Sequence, residues 1–250
     1  MAFIQCNYWS EVLGKRCDMT VLLPQRQSRR AVPVLYLLHG LCGDHRTWCG
    51  NTALEHLAQN LNLAVVMPDG GRGFFTDMAH GLRYGKFFAD ELPRIVASMF
   101  PVSTDRERTI VAGASMGGYG ALRLALSAPE RFGAAFAMSP LVDLERAITH
   151  GNSAISSAEM HDVFGEPEEQ ISRGNDLHDL ARQVRLSAAP PRIAIYCGTG
   201  DLLYQDGVEF CNFLTGLNWP ELEYSLDEEG KHDWSYWSRQ LPKLLEFCRS

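Results

Sequence analysis

A serine hydroxyl is a poor nucleophile at neutral pH. It needs a base within hydrogen-bond reach and a third group that holds the base in the right tautomer. Ser115, Asp201 and His232 could supply that set, in that chain order. Ser115 stands in Gly113-Ala114-Ser115-Met116-Gly117, where a glycine on each side relieves crowding around a serine held at a sharp strand-to-helix turn. Asp201 closes Cys197-Gly-Thr-Gly-Asp201, and His232 sits in Glu229-Gly-Lys-His232-Asp-Trp234. Such a turn is followed along the chain by an acid and then a histidine. Asp143, Asp206 and Asp227 compete for the acid, but only Asp201 comes at a strand's carboxyl end in the right interval; its bland alternative is a helix cap. A lone histidine is usually a satisfied surface or core residue, yet His232 is the one of eight that lies beyond the last expected strand. His150, His161 and His178 lack H-x-x-x-H or H-E-x-x-H spacing, which argues against a metal.

Acyl transfer also needs donors aimed at the developing oxyanion. The backbone N–H of Met116, at the start of the helix, is one candidate. The N–H of Leu41, presented by a loop that folds back at His39-Gly40, is the other. Trp48, Phe74 and Phe75 are candidates for a substrate pocket, with ordinary packing as their alternative.

Positioning these groups requires strands that end where they stand. Residues 109–112 are β-branched and apolar, and 116–126 have helical spacing, as the turn at Ser115 demands. Two antiparallel strands are expected at 3–9 and 16–23, then a polar loop at 25–30. Nearly all-apolar runs at 32–38, 63–67, 134–138 and 192–197 read as strands buried on both faces, with a last strand at 222–226. Thr52 to Glu55 reads as a capping box opening a helix to about residue 60, and Pro93 should break or kink a helix over 86–99. Helices are also expected at 208–217 and 234–248. Periodicity weakens over 141–189, read as a lid-like excursion of short helices over the sheet's carboxyl edge. The alternation predicts an α/β protein: a mostly parallel, doubly wound sheet of about eight strands, helices on both faces, in a single domain spanning 1–250.

The 250 residues are 46% hydrophobic, enough for one large core. A net charge of −7 with scattered Lys and Arg disfavours nucleic acid and anionic membranes as partners. No segment has signal-peptide or transmembrane character, and seven cysteines without a C-x-x-C pair suit reduced thiols, so the expected location is the cytoplasm. Cys6 and Cys17 could face each other across the first hairpin. The chain is compatible with a homo-oligomer.

His39-Gly-Leu-Cys-Gly43 with Trp48, Gly71-Arg-Gly-Phe-Phe-Thr-Asp77, the Gly113 to Ala121 turn, Cys197 to Asp201 and Gly230-Lys-His-Asp-Trp234 together resemble the α/β-hydrolase superfamily. The likeness is to its esterase D group and, within it, the tributyrin-esterase-like members related to S-formylglutathione hydrolases and feruloyl or acetylxylan esterases. It covers most of the chain. It implies an α/β-hydrolase fold and a serine carboxylesterase acting on short acyl esters, with Ser115, Asp201 and His232 at the family's triad positions and no metal or organic cofactor. Lys231 intervenes before the histidine where such families often have Gly-His or Pro-His, and Phe75 stands where tyrosine is common. A thioesterase of the S-formylglutathione hydrolase type, an acyltransferase, and a non-catalytic binding protein on the same fold are the rival readings. The small-molecule ester itself, and the influence of Cys42 beside the Leu41 loop, stay open.

Overall fold

The computed structural model describes residues 1–25, 31–186, 189–226 and 228–249. The loop expected at 25–30 and the competing Asp227 lie wholly or largely outside them. Among the described residues, β1 (Ala2–Ser10), β2 (Lys15–Leu23), β3 (Val34–Leu38), β4 (Ala64–Pro68), β5 (Thr109–Ala114), β6 (Ala134–Met138), β7 (Arg192–Tyr196) and β8 (Leu222–Ser225) form one sheet of order β1-β2-β4-β3-β5-β6-β7-β8. From β4 to β8 every pairing is parallel, whereas β1 and β2 form an antiparallel hairpin that joins β4 antiparallel. Parallel strands covered on both faces should be continuously apolar, and β3 to β6 are buried at every position. Two separate apolar clusters, one on each face of the sheet, make up the core.

The helices are α1 (Thr47–Asn51), α2 (Leu54–Ala58), α3 (Tyr84–Lys86), α4 (Leu92–Met99), α5 (Met116–Ser127), α6 (Leu144–His150), α7 (Ser157–Phe164), α8 (Leu177–Arg185), α9 (Tyr204–Gly216) and α10 (Trp234–Phe247). None is long and apolar enough to cross a membrane among the described residues. α5 is buried from Met116 to Leu126 because the sheet lies on one side and α8 packs on another.

Four local expectations are corrected. Thr52 is not the cap of the expected helix: its hydroxyl donates to the Trp48 carbonyl at 2.6 Å and accepts the Leu54 N–H at 3.2 Å, the helix runs only from Leu54 to Ala58 with Ala53 at its cap, and a further short helix, α1, precedes it. Pro93 does not break its helix. A widened π turn at Phe87–Glu91 precedes α4, and the proline occupies the first turn of α4, where a missing N–H costs no helical hydrogen bond. α9 starts at Tyr204, earlier than periodicity suggests, because Asp206 in its first turn is buried, accepts the Val142 and Asp143 N–H groups at 3.0 Å each, and pairs with Arg146. Cys6 pairs in register with Met19, and Cys17 with Tyr8, so the two thiols are diagonal rather than facing; all seven cysteines are free.

Candidate active site

β5 delivers Ser115 into a backbone conformation with φ 59° and ψ −118°, which L-residues adopt at a cost of roughly 1–3 kcal/mol. Its neighbours over-determine it. The Ser115 N–H donates to the Met138 carbonyl at 2.9 Å on the adjacent strand, and its carbonyl accepts the Tyr119 N–H at 3.0 Å as α5 begins. The turn closes only because Gly117 has no side chain: a Cβ there would lie 2.5 Å from the Leu38 carbonyl oxygen and 2.7 Å from that of His39. The start of α5 therefore rests directly on the end of β3.

A second close approach brings the other two groups together. A Cβ at Gly198 would fall 2.6 Å from Gly230, so the loop after β7 and the loop after β8 touch backbone to backbone. The Gly200 N–H donates to the Gly230 carbonyl at 2.9 Å and the Thr199 N–H to that of Glu228 at 3.0 Å. Asp201 and His232 ride on these two loops. His232 Nδ1 lies 2.9 and 3.1 Å from the two Asp201 carboxylate oxygens, and its Nε2 lies 2.9 Å from Ser115 Oγ. The three residues named from the sequence thus form one hydrogen-bonded chain.

The Asp201 carboxylate is fully buried while His232 keeps 20% of its side chain exposed. Burial alone would push the Asp201 carboxyl up. The bond from His232, the Leu203 N–H at 2.8 Å and the Ser139 hydroxyl outweigh it and hold the carboxyl below its ordinary value, so it is ionised at neutral pH. An ionised acceptor on Nδ1 leaves Nε2 free to accept the Ser115 proton. The Trp237 ring meets the imidazole edge-on at a centroid distance of 5.0 Å, and its indole N–H donates to Ser139 Oγ at 3.1 Å.

Ser115 and His232 open into a cavity of about 470 Å³ whose lining includes Leu41, Met116, Phe74 and residues of the 141–160 segment. Trp48 and Phe75 do not line it. The Trp48 indole donates to the Leu38 carbonyl at 2.9 Å and packs beneath Trp234, while Phe75 lies wholly buried between His39 and Phe88. Of the three aromatics, Phe74 alone reaches the cavity wall. Sequence reasoning missed Ser139 and Trp237. Ser139 directly follows β6 at its carboxyl end, the edge on which open α/β sheets build their sites, and that position was its available signal. Trp237 had none, being one of several aromatics on α10.

His39 is buried, and its bonds define the loop that carries Leu41. Nδ1 lies 2.7 Å from the Gly40 carbonyl oxygen, and Nε2 accepts the Gly70 N–H at 2.9 Å. The Gly43 N–H also donates to the Gly40 carbonyl, at 3.0 Å.

The model of the esterase family matches residues 10–248. An acetyl esterase from Caldicellulosiruptor saccharolyticus is 29% identical over 99% of this chain and 98% of its own. A fluorophosphonate-binding serine hydrolase from Staphylococcus aureus superposes with a TM-score of 0.91 at 28% identity, covering 100% of this chain and 98% of that one. An S-formylglutathione hydrolase from the same organism does so with a TM-score of 0.89 at 28% identity, covering 100% and 99%. The sheet and its helices are those of the α/β-hydrolase fold.

Proposed function

We propose that this chain, which belongs to the esterase family and hydrolyses carboxylic esters, acts on short acyl esters through an acyl-enzyme formed on Ser115. The observation that carries the reading is the continuous Ser115–His232–Asp201 chain of hydrogen bonds at the mouth of the cavity. Ser115 Oγ attacks the ester carbonyl as its proton passes to His232 Nε2, and the Asp201 carboxylate keeps the imidazole oriented and stabilises its cation. The imidazolium then gives that proton to the departing alcohol oxygen. Water, activated in the same way, attacks the acyl group and releases it as the acid.

The oxyanion is held by the N–H groups of Met116, the first residue of α5, and Leu41. The first follows from the turn itself. The second follows from peptide planarity. His39 Nδ1–H and the Gly43 N–H fix the Gly40 carbonyl on one side, so the N–H of the same trans peptide, that of Leu41, points the opposite way. Leu41 lines the cavity that holds Ser115. A donor of this kind is worth about two to three orders of magnitude in rate.

A cavity of about 470 Å³ walled by Phe74, Leu141, Ile155 and Met160 suits a small ester better than a long lipid. Thioester hydrolysis is the second reading, favoured by the likeness to an S-formylglutathione hydrolase over the full chain, and it would use the same three residues. Seven unpaired cysteines favour a reducing compartment, the cytoplasm, as the place of work. Hydrolysis of p-nitrophenyl acetate, butyrate, octanoate and palmitate tests the proposal, with Ser115→Ala in parallel and S-formylglutathione as the competing substrate. Turnover of the short esters that vanishes in Ser115→Ala supports it. Equal rates for wild type and Ser115→Ala on every ester and on the thioester would refute it.

A further inference from the structure

The cavity has two unlike walls. His232 stands with Trp234 and Trp237, whose rings belong to the apolar cluster on one face of the sheet. Phe74, Leu141, Ala147, Ile155 and Met160 belong to the cluster on the other face. On the reading above, the alcohol oxygen takes its proton from His232 Nε2, so the leaving group departs beside the tryptophans. The acyl chain then faces the wall built by residues 141–160.

Part of that wall is the strap between α6 and α7. It is closed on itself: the Asn152 N–H donates to the Ile155 carbonyl at 2.7 Å, and Asn152 Oδ1 accepts the Ala154 and Ile155 N–H groups at 2.7 and 3.1 Å. Asn152, Ser153, Ala154 and Ile155 all line the cavity. What ties this closed turn to the body of the sheet is a residue outside the cavity. Arg72, in the loop that follows β4, donates from Nη2 to the Ala154 carbonyl at 2.8 Å and forks onto Glu159 of α7, with Nη2–Oε2 at 3.0 Å and Nε on Oε1. The far end of α7 is held separately, by the Ala79 and His80 N–H groups on the Val163 and Asp162 carbonyls at 2.8 Å each. One guanidinium therefore fixes both the strap and the near end of α7, and its planar fork is the shape that such a double contact needs.

We propose that Arg72 is a positioning residue for substrate selection: by pinning the 152–155 strap through Ala154 and Glu159, it sets the length of acyl chain that the cavity admits. Arg72 and Glu159 keep 42% and 35% of their side chains exposed, so removing either leaves no charge stranded in the core and the fold survives. Releasing the strap enlarges the acyl wall while Ser115, His232 and Asp201, on other loops, keep their geometry.

The experiment measures kcat and KM on p-nitrophenyl acetate, butyrate and octanoate for wild type, Arg72→Ala, Glu159→Gln and the double variant. In Arg72→Ala the octanoate-to-acetate ratio of kcat/KM should rise about tenfold, through KM, the scale at which a pocket discriminates by a methylene. Turnover on acetate should stay within about threefold. Glu159→Gln should move the ratio the same way by less, and the double variant should add nothing to Arg72→Ala, since both act through one contact. An unchanged ratio in both single variants overturns the proposal. So does a parallel fall on acetate and octanoate, which would put Arg72 in support of the reacting residues. A wild type inert on every ester fails the esterase reading itself and the inference with it, an outcome recognisable before any variant is compared.

Discussion

Gly117→Ala isolates the contact on which the reacting turn is built. The added Cβ would sit 2.5 Å from the Leu38 carbonyl oxygen, where ordinary contact begins at 3.4 Å, so the neighbouring backbone must yield by roughly 0.9 Å. Alanine in a helix gains about 1 kcal/mol over glycine, and overpacking costs about 1–3 kcal/mol, so the net loss of stability is at most about 2 kcal/mol. For a chain of 250 residues that is a fall in Tm of up to about 8 °C. The loss of activity should be far larger. The backbone that must yield, Leu38 and His39, leads directly into Gly40 and Leu41, so the shift separates the Leu41 N–H from Ser115. Misplacing one such donor lowers kcat about 100-fold or more. Steady-state hydrolysis of p-nitrophenyl butyrate and a thermal melt give both quantities. Gly216→Ala is the control, because its Cβ would meet nothing within 4 Å at the end of α9, and it should leave rate and Tm at or slightly above wild type. A Gly117→Ala protein with kcat within about threefold of wild type and an unchanged Tm would refute both the packing argument and the assignment of Leu41.

Asp201→Asn keeps the shape of the acid but removes the charge that orients His232, and should lower kcat on short esters by about 10³ to 10⁴ while leaving KM within a few-fold. The same carboxyl titrates below its ordinary 3.8 in the folded state, so it contributes stability that is complete above 3.8 and lost as pH falls through the lower folded value. Asp201→Asn should accordingly flatten the acid side of a stability-against-pH curve measured by urea unfolding. Cys42 is the exposed cysteine and lines the cavity, whereas burial pushes the Cys17 and Cys49 thiols up to about 11 and those of Cys197, Cys211 and Cys248 up to about 12. Native titration with a disulfide reagent should show one fast thiol, absent in Cys42→Ser, and its modification should slow ester hydrolysis by bulk. Asn175 is buried, accepts Arg123 Nε at 3.1 Å and the Thr76 hydroxyl, donates to Gln170 Oε1 at 3.1 Å, and accepts the Tyr119 hydroxyl on its carbonyl at 3.0 Å. Asn175→Ala removes one acceptor of the buried Arg123 guanidinium, which keeps the Tyr119 hydroxyl as a partner, and should cost roughly 1–3 kcal/mol by denaturant unfolding; a loss under about 0.5 kcal/mol would contradict that accounting.

The three residues of the hydrogen-bonded chain could be read from the sequence because each is tied to a local signal. Ser115 is marked by the glycines its turn requires, Asp201 by its place past a mostly apolar run that reads as a buried strand, and His232 by its place beyond the last strand. The sheet was legible for the same reason: β3 to β7 are short, nearly all apolar past the first residue of β5 and β7, and bounded by glycine, proline or polar residues. Where local pattern misled, a distant contact had the larger energy. Asp206 starts α9 early because the Val142 and Asp143 N–H groups need an acceptor, and a π turn before Pro93 keeps packed a helix that the proline would otherwise end.

Which aromatics line the cavity was never local information. Trp48, Phe74 and Phe75 have equal claims as residue types, and only the paths of β3, α5 and the 141–160 segment put Phe74 on the cavity wall and bury the other two. Ser139 on Asp201 and Arg72 on the strap are likewise meetings of side chains more than sixty residues apart. The sequence by itself determined which three residues meet and the succession of strands along the chain that carries them, because backbone strain and strand burial impose residue types at fixed spacing. Only the tertiary structure decided what surrounds those groups, because packing between distant segments depends on shape and leaves no periodic trace in the chain.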